Sequence, residues 1–238
     1  LGKLMTWLNH YEETRDRLEA GHAYDRSSER DACGVGLVCS IDGSPRRDVV
    51  EYAIRSLKAV AHRGAVDPDG LSGDGAGVMV ELPQGFFADQ VASIGQSPRP
   101  GPICVGQVSL QRTDLAAQHR AGAIVETEAL RAGFWIYGWR QTPIDLSVVG
   151  EKAGGTRPEI EQIMLAPPPD GAGQPLDGEA LERELYLCRR RIEKTVQAEG
   201  VAGVYICTLS ARSIAYKGMV RAELLGDLYP DLEGPPFI

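Results

Sequence analysis

The chain has 238 residues, with 25 Lys and Arg against 33 Asp and Glu and a formal net charge of -8. That carboxylate surplus argues against gripping nucleic acid or an anionic membrane through bulk charge. Hydrophobic residues make up 43%, enough for a sizeable core, yet no apolar run approaches the roughly 20 residues of a membrane span.

Residues 3–20 predict a helix, with Leu4, Leu8, Tyr11 and Leu18 near one face. Residues 21–32 are polar and read as irregular, without the apolar stretch of a secretion signal. Composition then changes. Gly34 to Ile41 is an apolar run suited to a buried strand, closed by a turn at Asp42-Gly43. Val50, Ile54, Leu57 and Ala61 form one stripe and predict a helix over 47–61, stopped by Gly64. Residues 64–77 read as a Gly- and Asp-rich loop, and Val78 to Leu82 as a strand ended by Pro83. Strands are expected at 102–109 and 134–139, a helix at 113–131 and a surface loop at 166–178. The clearest helix is 179–198, where Leu181, Leu185, Cys188, Ile192 and Val196 make one stripe and Gly200 lies past the end. Residues 203–209 and 213–216 are expected to form a hairpin across Ser210-Ala211-Arg212. A hairpin among irregularly alternating elements argues against a purely parallel sheet, and an α+β layered fold is the expectation. No internal repeat or low-complexity tract interrupts this order.

Three stretches could carry chemistry. Cys33 stands where the polar leader meets the apolar run, flanked by Ala32 and Gly34, so its thiol is open to a substrate; a packed thiol at a strand start is the plainer reading. His62-Arg63-Gly64 at a helix end suits simple capping, but Arg63 could also orient a carboxylate or a backbone carbonyl. Gly73, Asp74 and Gly75 lie in a Gly-rich run before a strand. This run fails the dinucleotide pattern, because Val78 stands where the third Gly is needed and no strand precedes it. Asp67, Asp69 and Asp74 resemble a calcium loop only loosely, since Pro68 interrupts them and Val78 occupies the position of the closing Glu. The four His have no ligand spacing, so no metal is expected. Five Cys, odd in number and irregular in spacing, suit a reducing cytoplasm, and Cys39, Cys104, Cys188 and Cys207 are expected in the core. Arg189-Arg190-Arg191 reads as a solvated helix face, and Phe134, Trp135, Tyr137 and Trp139 as strand packing.

Together DACGVGLV, AHRGAVDPDGLSGDGAGV and LPQGFF resemble the start of the glutamate synthase large-subunit family, and more loosely the class II glutamine amidotransferases. ELYLCRRRIE, VYICTLSARSIAYKGMV and LGDLYPDL extend the resemblance from about Tyr24 to the end. It implies an N-terminal nucleophile hydrolase fold, an αββα four-layer sandwich, here incomplete at its C-terminal end. Residues 1–32 would be a leader removed to expose Cys33, and residues 33–238 part of an amidotransferase domain. Cys33 would attack the side-chain amide of L-glutamine, with Gly34, Arg63, Gly73, Asp74 and Gly75 supporting the site. No cofactor is implied on this chain. FMN and an iron–sulfur cluster are implied for the full-length enzyme, in a synthase domain that uses the ammonia to convert 2-oxoglutarate to glutamate, with a small electron-donor subunit as a further partner. Ser72 departs from the family's usual Thr but keeps the hydroxyl. The only Asn is Asn9, so residues 33–238 offer no Asn side chain for an oxyanion hole, and little turnover is expected from this chain alone. Another class II amidotransferase, or a non-catalytic module on the same fold, are the alternatives.

Overall fold

A computed structural model describes residues 2–21 and 34–234, and the chain divides into two compact units, 1–35 and 36–238. The first unit contains helix α1 (Gly2–Gly21), as its spacing predicts. The expected irregular stretch 21–32 lies, past Gly21, outside the described residues, and so does Cys33.

In the second unit the elements run α2 (Arg47–Ala59), β1 (Ser72–Glu81), α3 (Gln84–Ser93), β2 (Cys104–Leu110), α4 (Leu115–Arg131), β3 (Trp135–Gln141), α5 (Glu151–Thr156), β4 (Glu159–Ala166), α6 (Gly178–Ala198), β5 (Tyr205–Ser210), β6 (Ser213–Val220), α7 (Leu225–Leu228) and α8 (Pro230–Glu233). Asp114 and Asp177 cap α4 and α6, each accepting a backbone N–H of the first turn. Two antiparallel sheets result, β3-β4-β2-β5 and β1-β6.

Strand alternation divides the core. In β4, Met164 joins Val105, Tyr137, Val78, Val80, Ile214 and Tyr216 in a cluster that takes one face of each sheet, with Phe87 and Val91 of α3. Its neighbours Ile163 and Leu165 join the other cluster, where Ile124 and Val125 of α4 and Leu181, Leu185 and Ile192 of α6 cover the four-stranded sheet. A helical layer, a sheet and a second sheet therefore stack as an α+β structure.

A polar network lies buried within this stack. Arg140 of β3 donates to both oxygens of Asp231 in α8, at 2.7 and 2.8 Å, and also to Gln162 of β4 at 2.7 Å and Gln90 of α3 at 2.9 Å. Tyr216 of β6 donates to Asp231 at 3.0 Å, and Gln162 donates to Gln107 of β2 at 2.9 Å.

Four expectations are corrected. Gly34 to Ile41 is not a strand: it pairs with no strand among the described residues, and Leu37 and Ile41 are 88% and 104% exposed. Apolar composition alone does not make a strand without a neighbour for its backbone groups. Cys39, on this segment, is consequently exposed rather than in the core. Residues 203–216 do not form a hairpin, because β5 pairs with β2 while β6 crosses to pair with β1. The corner between them is fixed from the side: Glu182 accepts from Ser210 Oγ and the Ala211 N–H, and Ser210 Oγ accepts from the Arg212 and Ser213 N–H groups. Finally, β1 starts at Ser72 rather than Val78, since glycines carry no side chain to display the two-residue period.

Candidate functional site

The site is built from the segment between α2 and β1. Past α2 the chain makes one tight turn over Ala61–Arg63, closed by the Gly64 N–H on the Ala61 carbonyl at 3.0 Å. His62 turns its ring back to the Ala59 carbonyl, 3.2 Å away, which agrees with a structural role. The backbone of Arg63 is placed here, whereas its side chain lies outside the described residues.

Residues 65–74 then form a small hairpin. Asp67 N–H donates to the Ser72 carbonyl at 3.0 Å, Val66 bridges Gly73, and Asp74 closes the base by accepting the Ala65 N–H on Oδ2 at 2.8 Å. Gly73, Asp74 and Gly75 fall where the β1–β6 register shifts, between Ser72↔Val220 and Ala76↔Gly218. They form a bulge turned toward the preceding loop, a device that re-aims backbone next to active sites. Gly75 has φ +108, and a Cβ on Gly73 would stand 3.1 Å from the Ala65 carbonyl oxygen and 3.3 Å from the Arg221 nitrogen. A side chain would be strained at Gly75 by its positive φ and crowded at Gly73 by backbone atoms rather than by mobile neighbours. The structure thus brings Gly73, Asp74 and Gly75 against Ala65, two residues from Arg63. Gly34 is exposed and belongs to the other unit.

The hairpin tip is anchored by residues that spacing did not single out as a site. Asp69 Oδ1 accepts from the Leu71 and Ser72 N–H groups at 3.0 and 2.8 Å, and Oδ2 accepts from Ser72 Oγ at 2.6 Å. These donors, the Ser72 hydroxyl foremost, hold the Asp69 carboxyl at about 2, below the ordinary 3.8. Ser72 Oγ in turn accepts the Ala153 N–H at 3.2 Å, and Lys152 pairs with Asp67 at 2.8 Å, an interaction that raises the Lys152 ammonium above its usual range. The only sequence signal was the loose calcium-loop likeness. Among the described residues, no three His, Cys, Asp or Glu side chains are grouped to hold a metal ion.

Residues 33–237 match the family described as glutamine amidotransferases class-II. The chain is 54% identical over 215 residues to the glutamate synthase (NADPH) large chain of Azospirillum brasilense, covering 90% of this chain and 14% of that one. It is 38% identical over 211 residues to ferredoxin-dependent glutamate synthase 2 of Synechocystis, covering 88% and 13%. Against the chloroplastic ferredoxin-dependent enzyme of Oryza sativa it is 38% identical over 208 residues, covering 87% and 12%. It therefore spans only about one seventh of the length of these relatives.

Proposed function

The chain belongs to the class II glutamine amidotransferases, and from that premise we propose that residues 33–238 are the glutamine-hydrolysing part of a glutamate synthase, with residues 1–32 a leader removed to expose Cys33. What supports this reading is where the family match begins: at residue 33, the Cys itself.

The chemistry follows from an N-terminal Cys. A free thiol has a pKa of about 8.5 and needs a base at neutral pH. An α-amine, at about 7.7–8.0, is the nearest one, but only once its amide to Ala32 is cut. The amine takes the thiol proton while sulfur attacks the side-chain carbonyl carbon of L-glutamine. The same proton is returned to the leaving nitrogen, which departs as ammonia, leaving a glutamyl thioester. Water then adds to the thioester, the C–S bond breaks, and glutamate and the thiol are released. Arg63 and the Gly73–Asp74–Gly75 bulge would support the site, and backbone N–H groups around Gly73 or Gly75 are candidate oxyanion donors. The ammonia would serve reductive amination of 2-oxoglutarate elsewhere in a longer polypeptide that holds FMN and an iron–sulfur cluster and takes electrons from a donor subunit. The described cysteines do not fit such a cluster: Cys104 and Cys188 are buried in the core, Cys207 is half-buried and Cys39 is exposed, and no three of them are grouped. Unpaired thiols suit a reducing cytoplasm.

The test uses the full-length polypeptide that contains this segment. N-terminal sequencing should find Cys33 first. Cys33→Ala should abolish glutamine-dependent glutamate formation while the ammonia-dependent reaction, carried out in another domain, continues. Parallel loss of both would make Cys33 structural and end the proposal.

A further inference from the structure

The hairpin 65–74 is held on two sides. On one, the Arg221 N–H donates to the Leu71 carbonyl at 3.2 Å, and its guanidinium reaches the Gly70 carbonyl at 3.3 Å. On the other, the tip meets the start of α5, where the Asp69 carboxylate and the Ser72 hydroxyl receive the Lys152 and Ala153 N–H groups at 3.5 and 3.2 Å. The approach there is so close that a Cβ on Gly150 would overlap both the Asp69 carboxylate and the Ser72 hydroxyl. Gly150 is more than seventy residues away in sequence, so this fit is tertiary rather than local turn chemistry. From this anchor the hairpin runs through Val66 and Gly73 to the Ala65–Asp74 base, next to Arg63 and Gly64.

We propose that Asp69 is a positioning residue for glutamine hydrolysis: by holding Ser72 of β1 against the start of α5, it fixes the hairpin and through it the backbone from Arg63 to Ala65 and the Gly73–Gly75 bulge. Asp69 needs no contact with substrate for this. The inference rests on the glutaminase reading above. Four donors converge on one exposed carboxylate, and neutralising it by Asp69→Asn turns one acceptor oxygen into a donor facing the Ser72 hydroxyl or the N–H groups it now serves. The tip then loses its seat on α5 while the two core clusters keep all their contacts.

The experiment uses the full-length enzyme with two readouts, steady-state kinetics and backbone hydrogen exchange. Asp69→Asn should lower glutamine-dependent kcat/KM by about tenfold and leave the ammonia-dependent rate within about twofold. Exchange should quicken over residues 64–75 and not in α4 or α6. Ser72→Ala should reproduce both effects, and Ser72→Thr, which keeps the hydroxyl, should restore both. Faster exchange with unchanged glutamine kinetics would overturn the proposal, as would no change in either. Lost glutamine turnover without faster exchange would also overturn it, since Asp69 would then act on substrate directly. If Asp69→Asn quickens exchange throughout the unit, the Ser72→Ala and Ser72→Thr pair decides by the same criteria. Cys33→Ala separates the two levels: glutamine turnover surviving that change sinks the glutaminase reading, whereas its loss beside an unaffected Asp69→Asn sinks only the role of Asp69.

Discussion

Removing the Asp231 carboxylate should be among the most destabilising single changes in the chain. The Arg140 and Asp231 side chains are 13% and 4% exposed, and their fork-to-fork pair is the centre of the network joining β3, β4, β6, α3 and α8. Asp231→Ala deletes two of the four hydrogen bonds made by the guanidinium and takes from Tyr216 the acceptor for its hydroxyl. A buried charge left without its partner costs about 3–5 kcal/mol. For a unit of this size each kcal/mol lowers Tm by about 2–4 °C, so the shift should be about 6–20 °C. Tyr216→Phe, which removes the hydroxyl that donates to Asp231 and accepts from Gln162 but leaves the ion pair, should cost less, about 1–3 kcal/mol. Urea titration followed by circular dichroism, with thermal melts alongside, measures both variants. A loss below about 1 kcal/mol for Asp231→Ala would refute the reasoning, because it would mean that water reaches Arg140 and replaces the carboxylate.

Other parts of the molecule can be tested as directly. Gly106→Ala should destabilise by about 1–3 kcal/mol by overpacking, since its Cβ would stand 2.7 Å from Ile163 Cγ2 and 3.1 Å from Leu209 Cδ1; urea midpoints measure it. Iodoacetamide at neutral pH followed by peptide mass spectrometry should modify exposed Cys39 while sparing Cys104, whose thiol burial raises strongly, and Cys188, pushed by burial up to about 11. The Asp69 carboxyl, held at about 2, contributes stability that is complete above 3.8 and is lost as pH falls toward 2, so acid melts of Asp69→Asn should show a shallower decline over that window.

Where one face of an element meets the core, the sequence displayed it. The stripe of α6 is an example: Leu181, Leu185, Cys188, Ile192 and Val196 are all buried. β4 was not read, although it is internal to its sheet, because Gln162 to Ala166 are buried on both faces and leave no alternation to see. The positions of β5 and β6 follow from their apolar runs but their partners do not: the corner Ser210–Ser213 is held by Glu182 of α6, a contact far away in sequence, and the two strands go to different sheets. In the candidate site, Gly73, Asp74 and Gly75 stand out as a local Gly-rich run, and only the family resemblance gives that run a role. Gly150 could not: what makes it necessary is the Asp69 carboxylate, brought to it by the fold.

The pairing of Ser72 with Val220 also sets a timetable. Strands β2, β3 and β4 lie close together in sequence and can pair as soon as they leave the ribosome, with α4 to cover them. β1 has to wait for β6, roughly 150 residues later, which is about 7–30 s of synthesis at ~5–20 residues per second. During that interval Val78 and Val80 have no sheet partner, and the Gly73–Gly75 bulge has no ladder from which to depart. The three strands β2, β3 and β4 are thus the platform onto which β5 and then the two-stranded sheet are added, almost together, at the end. The loop beside Arg63 takes its final shape only after Val220 has been added to the growing chain.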